Sequence, residues 1–423
     1  MKYITQRIKI HFLLAVSAMM VILSSCNKDL EQFPATPIVA PTGPALGETI
    51  ATIANDSLYY KLIVKGGMLT TLNNRTAVFT AIVPDNVAVR NFLNIISGGS
   101  TIGNTDPQYT AYINSSVSAA TAAGIVNYNI IPQAITTSSI PATFPNWFYP
   151  TNINPSGTPP GTPGSAGYNA FARLTTSLST RNGNWVNNVP LSTVNTTAAN
   201  GIIHTATAMV PLPPSRSLWA RINADADMTY FKAAVQRADS GVATTTSASL
   251  QWVLDNFGPN VNVFVPTNAA FQAVLTAQIT AYLISLGVPP ATAAAQAAGL
   301  VALYGPTIFA QPLVSGVLTP TTVKGIVVYH MMGARAFLNN FPTTATSYPT
   351  LLNGAIAAHP GVSLTATFTA GMVTAATVKG AANATASNVI INALPFLPDP
   401  AGTSDQHFIN GTLHKINQVL LPQ

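Results

Sequence analysis

The sequence predicts an α+β protein made of two copies of one module, carried behind a cleaved leader and a Pro-rich tether. Three observations support this. Three short blocks recur in the same order along the chain. Each copy of the first block joins a β-branched run to a proline turn and a helix-capping residue. The chain also opens on a basic, then apolar, leader that ends at its single cysteine. At about 150 residues per domain, 423 residues leave room for two sizeable modules.

Composition narrows the class further. Hydrophobic residues make up 48%, which supplies real cores and excludes wholesale disorder. Only 7% of residues are charged, against roughly 25% in ordinary soluble domains. Thr, Asn, Ser and Ala take their place, a surface better suited to an extracellular, β-rich protein than to a cytosolic enzyme. The formal net charge is +6, but Lys2, Arg7 and Lys9 lie in the leader. Without them 15 basic residues face 12 acidic ones, a balance of +3. No Lys/Arg run follows position 30, so no nucleic-acid partner is expected. One cysteine allows neither an internal disulfide nor a thiolate metal cluster.

The leader comes first. After the basic residues, an apolar stretch from Phe12 to Leu23 is too short to span a bilayer but fits a signal-peptide core. It ends in Leu23-Ser24-Ser25-Cys26, which resembles the lipobox of bacterial lipoproteins. That resemblance implies cleavage after residue 25, acylation of Cys26 and a firm membrane anchor. The following Asn27-Lys28-Asp29-Leu30-Glu31 is similar to signals that send lipoproteins to the outer face of the outer membrane. Pro34, Pro37, Pro41 and Pro44 then make residues 26–47 an extended tether.

Two copies follow, at 48–215 and 216–423, with a boundary near Pro211, Pro213 and Pro214. Val78-Phe79-Thr80-Ala81-Ile82-Val83-Pro84-Asp85-Asn86 matches Val261-Asn262-Val263-Phe264-Val265-Pro266-Thr267-Asn268 with one residue of slippage. Ile125 to Ile130 matches Ile326 to Met331, and Asn200-Gly201-Ile202-Ile203-His204 matches Asn410-Gly411-Thr412-Leu413-His414. In each first block a strand runs into a proline, and Asp85 or Asn86 in the first copy, Thr267 or Asn268 in the second, then caps a helix. Gly98-Gly99 stops the helix of the first copy. Asp227 is expected to cap the helix that carries Tyr230, Phe231 and Val235.

Together these blocks resemble the fasciclin-like (FAS1) domain, with its Pro-Thr-Asn turn, its Tyr-His pair and its closing Asn-Gly-x-x-His strand. The second copy carries all three marks. The first departs at Asp85, where Thr is usual, and at Asn129, where His is usual. The resemblance implies tandem β-wedge or sandwich domains with flanking helices, and a role in adhesion. It also links Tyr329 and His330 to cell attachment. Read from the residues alone, this pair fits a strand with one apolar-facing Tyr and one hydrogen-bonded His. His204 and His414 are expected to hold a structural bond, with Nδ1–H donating to a backbone carbonyl.

Two insertions distinguish the copies. The first, about 141–169, is a Pro/Gly-rich loop carrying Trp147, Phe148 and Tyr149, which either contact a ligand or fold back as a lid. The second, about 272–312, is Ala-rich with Pro289-Pro290 at its centre and reads as a helical hairpin that does not span a membrane. No H-E-x-x-H, G-x-S-x-G, P-loop or dinucleotide-binding pattern occurs. Asp225-Ala226-Asp227 opens like a calcium loop, but Tyr230 and Gln236 stand where Gly and Glu are needed. Asp405, His407 and His414 make only a thin case for a metal. No catalytic residue, metal or cofactor is therefore expected. The expectation is a non-enzymatic lipoprotein, exposed on the outer membrane, that binds an extracellular protein or glycan. The alternative is a glycan-binding accessory lipoprotein of an envelope polysaccharide system.

Overall fold

Apolar runs that the sequence analysis assigned to strands occupy the centre of a mixed α+β architecture. The computed structural model describes residues 41–99, 101–153, 173–210, 217–392 and 402–423. Cys26, the leader, most of the tether, residues 154–172 of the first insertion and the 211–214 junction lie outside them. The chain divides into Met1–Pro41 and Thr42–Gln423, and every element named here lies in the second unit.

The first copy runs α1 (Leu46–Thr52), α2 (Ser57–Lys65), α3 (Leu69–Leu72), β1 (Phe79–Pro84), α4 (Asn86–Ile96), α5 (Asp106–Ser116) and α6 (Ala119–Tyr128). It continues through β2 (Ile130–Ile131), β3 (Trp147–Pro150), β4 (Thr175–Ser179), β5 (Trp185–Val186), β6 (Val189–Ala198) and β7 (Gly201–Ala206). The second runs α7 (Leu218–Ala224), α8 (Thr229–Ala238), α9 (Leu250–Asp255), β8 (Val261–Pro266), α10 (Asn268–Ser285), α11 (Pro290–Tyr304) and α12 (Pro320–Tyr329). Then come β9 (Met331–Met332), β10 (Thr346–Tyr348), β11 (Val362–Thr369), β12 (Met372–Lys379), β13 (Ser387–Asn388), β14 (Gln406–Phe408) and β15 (Gly411–Ile416). One sheet has seven strands in the order β2-β1-β7-β6-β5-β4-β3. Two have four, β10-β11-β12-β13 and β14-β15-β8-β9.

The opening and closing strands pair in parallel in both copies, Phe79 opposite Gly201 and Val261 opposite Gly411. Parallel strands covered on both faces read as continuous apolar runs rather than alternating ones. All six residues of β1, and all six of β8, are buried. Ala81, Val83 and Ile203 face a helical core cluster, while Ile82 and Ala206 face a sheet cluster. Val263, Val265 and Leu413 do the same in the second copy, with Phe264 and Ile416 on the sheet side.

The repeated blocks build one hydrogen-bond frame twice. Asn200 Oδ1 accepts the Leu46 N–H at 2.8 Å, and its Nδ2 donates to the carbonyls of Leu72 and Asn74. Asn410 Oδ1 accepts the Leu218 N–H at 2.9 Å and its Nδ2 donates to the Leu254 carbonyl at 2.7 Å. The next residue has to be glycine, because a Cβ at Gly201 or Gly411 would stand 2.0 or 2.1 Å from the carbonyl oxygen of Phe79 or Val261. Asp85 and Thr267 cap α4 and α10 through the N–H groups of Ala88 and Ala270. Asn86 and Asn268 reach back to the N–H groups of Leu58 and Tyr230.

Several expectations change. Ala45 and Leu46 are fully buried and open α1, so the folded body takes up the last residues assigned to the tether. Tyr329 ends helix α12 and His330 caps it, so the pair is not on a strand. The apolar run before it is too short for periodicity to separate the two. Asp227 does not cap α8; Asn268 supplies that acceptor, and the Asp227 carboxylate instead faces Lys415 at 3.4 Å. The helical hairpin is present as α10 and α11. Pro290–Ala310 is long and apolar enough to cross a membrane by length and composition. Its α-helical part, however, stops at Tyr304 after 15 residues, about 22 Å at ~1.5 Å per residue, where Gly305 adopts φ 51°.

Replacing Asn410 by Ala strands a buried N–H and a buried C=O, each worth about 1–3 kcal/mol. Urea unfolding of Asn410→Ala should show a loss of about 2–4 kcal/mol, and a loss below about 0.5 kcal/mol would show that the amide does not tie the frame.

Candidate functional site

The two copies meet along a seam that the second copy enters with residues 335–341. Its partners are β3, β4 and β5 of the first copy and the turns around them. Asn146 Oδ1 accepts the Phe337 N–H at 2.8 Å, and Asn340 Nδ2 donates to the Thr143 carbonyl at 2.9 Å. Ser179 Oγ donates to Asn340 Oδ1, and Asn182 Nδ2 donates to the carbonyls of Asn339 and Phe341. Asn339 Nδ2 donates to the Asn187 carbonyl at 3.0 Å, while its buried Oδ1 has no partner among the described residues. Phe144 completes the contact, its ring 4.2 Å from Tyr348 and 5.7 Å from Phe341. Amide groups carry almost all of the polar contact, as the scarcity of charge requires.

Arg335 brings a cation into the seam. Arg335 Nη1 donates to Thr175 Oγ1 at 2.9 Å and to His407 Nε2 at 2.8 Å, and Nη2 donates to the Ile409 carbonyl at 2.7 Å. Its guanidinium carbon lies 5.3 Å from the centre of the Phe148 ring. Burial lowers the Arg335 pKa to about 10, opposed by the Tyr128 hydroxyl. Burial, then the Arg335 charge, holds His407 well below its usual value, so the ring is neutral with its proton on Nδ1, 3.4 Å from Tyr128 Oη. A cavity of about 160 Å³ borders Arg335, Thr175, His407, Phe257 and Asn260. A second, of about 250 Å³, lies between Trp185, Leu338, Asn339, Met372, Asn392 and Asp405.

The expected contact residues fall in different places. Trp147, Phe148 and Tyr149 form strand β3, paired with Leu178, Ser177 and Thr176, and so are not loop residues. Consecutive strand residues face opposite ways, so the three cannot make one aromatic platform. Trp147 is 57% exposed, Phe148 packs on Phe337 and His407, and Tyr149 is buried in the first copy's sheet core. Tyr329 and His330 are both fully buried and cannot touch a ligand. Tyr329 Oη donates to the Gly361 carbonyl at 2.5 Å, and His330 links the Ile326 carbonyl to the Leu420 N–H. Asn129 replaces His330 in the first copy, donating to Ile125.

His204 and His414 do make a common structural bond, through the other nitrogen. Nε2 donates to the carbonyl of Ile135 at 2.9 Å or Ala336 at 3.0 Å. Nδ1 accepts the N–H of Asn195 at 3.2 Å or Asp405 at 3.1 Å. His414 and His407 are therefore both committed to protein partners. Among the described residues no group of three His, Cys, Asp or Glu side chains is placed to hold a metal. The seam residues Arg335, Asn339 and Asn340 went unrecognised in the sequence. The signal available was Arg335 itself, which stands opposite Ala134 when the copies are aligned.

No protein-family model matches the chain, and no curated protein matches it. Among solved structures it is similar to a FAS1 domain pair from the insect cell adhesion molecule Fasciclin I, at 14% identity and a TM-score of 0.31. The match covers 87% of this chain and 98% of that one. A superposition this loose does not by itself establish a relationship.

Asp405 offers a pH test of the seam. It occupies the left-handed backbone region at φ 52°, as Asn195 does at φ 63° in the first copy. Burial pushes its carboxyl up to about 7, although the Leu338 N–H bonds it. Between the unfolded value of about 4 and 7, the folded state keeps a proton that the unfolded chain has lost. The stability it contributes is therefore full below about 4 and is lost as pH rises through 7. Buried His330 and His414, lowered to about 4 by desolvation, act oppositely, and their contribution falls as pH drops below 6.5. Asp405→Asn keeps the acceptor and suits the backbone. Its melting temperature should exceed wild type at pH 8 and converge with it at pH 5; an equal difference at both pH values would rule out the raised carboxyl.

Proposed function

We propose that the chain is a non-enzymatic cell-surface lipoprotein that mediates adhesion or extracellular binding through two fasciclin-like modules, 48–215 and 216–423. The observation behind this reading is the doubled frame. The blocks that resemble FAS1 in sequence are the ones whose Asn, His and capping side chains make the same hydrogen bonds twice, beside a glycine that each copy needs. The leader ending in Leu23-Ser24-Ser25-Cys26 supports an acylated anchor, and Lys28-Asp29 supports exposure on the outer face of the outer membrane. A surface with so few charges suits a role outside the cell.

Trp147 supports the second reading, a glycan-binding accessory lipoprotein. It lies on β3, the edge strand of the seven-stranded sheet, with its indole exposed. A flat aromatic face in that position can stack on a sugar ring. Tyr329 and His330, being buried, are not part of either reading.

Two variants test these proposals. Cys26→Ala should move the protein from the membrane fraction to the soluble one; retention in membranes at high salt would refute the anchor. Trp147→Ala should weaken retention on a polysaccharide affinity gel by about tenfold or more while leaving the melting temperature unchanged. Undiminished retention would remove the glycan reading and leave adhesion through another surface.

A further inference from the structure

Among the described residues, Arg335 is a buried cation without a counterion. The described acidic residues that form ion pairs do so elsewhere: Glu48 with Arg75, Asp106 with Arg90, Asp225 with Arg221 and Lys415, and Asp227 with Lys415. None pairs with Arg335. A guanidinium taken out of water loses solvation that neutral hydrogen bonds repay only in part. The residue is also not needed for the frame, since the first copy folds the same segment with Ala134 in its place. Its presence in one copy alone asks for a purpose beyond folding.

Its hydrogen bonding is incomplete in a way that points to an acceptor from outside. Arg335 Nε, closed off from solvent and cavity alike, has no partner among the described residues, so the charge stays poorly compensated. Thr175 Oγ1 accepts from Nη1, and among the described residues its own hydroxyl hydrogen meets no acceptor. His407 next to it is neutral and adds no competing positive charge. The cavity of about 160 Å³ touches both Arg335 and Thr175, with Phe257 and Pro259 as apolar wall. That volume holds a small planar group but not a whole sugar or peptide.

We propose that this seam cavity binds a carboxylate-bearing ligand through Arg335 and Thr175. The carboxylate supplies the missing countercharge beside the guanidinium and accepts from the Thr175 hydroxyl, a charge-assisted pairing that suits arginine. An acidic sugar and a peptide C-terminus share this chemistry. The inference needs only the seam and stands whether or not the protein is an adhesin.

The test is equilibrium dialysis of labelled acetate with the full mature chain at constant ionic strength, followed by competition with D-glucuronate and N-acetylalanine. Saturable binding of about one acetate per chain is expected, with Arg335→Met losing about tenfold or more in affinity. Without acetate, Arg335→Met should shift the melting temperature little, because removing a buried charge offsets the Ile409 and His407 acceptors that it strands. Should that variant fail to fold, Thr175→Val provides the same comparison. Tighter competition by glucuronate would identify the acidic sugar, and by N-acetylalanine the peptide terminus. No saturable uptake, uptake unchanged in both variants, or binding of sulfate but not acetate would each overturn the proposal.

Discussion

Asn200 and Asn410 each join three segments that lie far apart in sequence. From the start of the closing strand, the side-chain amide holds the first N–H of the opening helix and a carbonyl before the opening strand. The backbone carbonyl of the same residue accepts from Phe79 or Val261. Nothing local can provide this closure, because the ends of each copy are more than 150 residues apart. The following glycine lets the two parallel strands approach without a Cβ between them. With that pair fixed, helices cover one face and antiparallel strands the other. The two faces give each copy separate helical and sheet core clusters.

This closure explains what could be read in advance. Asn and His at the closing strand, and Asp85 or Thr267 at the turn, are side chains that a specific backbone bond requires, and the glycine between them is required by the close approach of the opening strand. They therefore persist in both copies while the apolar residues around them vary. The α10 and α11 hairpin was legible because Pro289-Pro290 interrupts an otherwise helix-favouring stretch. Helix α12 was not, since Ile326 to Tyr329 is a short apolar run that suits a strand equally well. Strand β3 was hidden by Pro145 and Pro150, which suggested a loop. An edge strand tolerates proline because one side of it needs no ladder bond.

The seam escaped the sequence for a different reason. It has no period and no motif: its partners are single side chains from segments separated by 150 to 200 residues. Asparagine is common throughout this chain, so no composition signal marks Asn146, Asn187, Asn339 or Asn340. Their burial is understandable once the surface is known to be charge-poor. An amide supplies donor and acceptor at once and, unlike a charge, can be buried at modest cost when both are satisfied.

Where the copies differ is more telling than where they agree. Asp56 is buried, with no hydrogen-bond partner for either oxygen, and burial reinforced by Asp85 raises it to about 7. The second copy places buried Met228 there and avoids that penalty. Asn129 leaves its Oδ1 unsatisfied where His330 uses both ring nitrogens. At these positions the frame accepts either residue, so the differences concern only local stability. Ala134 against Arg335 and Asn195 against Asp405 are of another kind. Both changes add a titratable group in the second copy, and both groups border a cavity at the seam. Drift on an almost uncharged protein would scatter charges over exposed positions, where they cost little. Placing two of them in buried positions beside cavities costs desolvation that exposed charges avoid, so the two differences mark the seam as the part of the second copy that departs most from the shared frame.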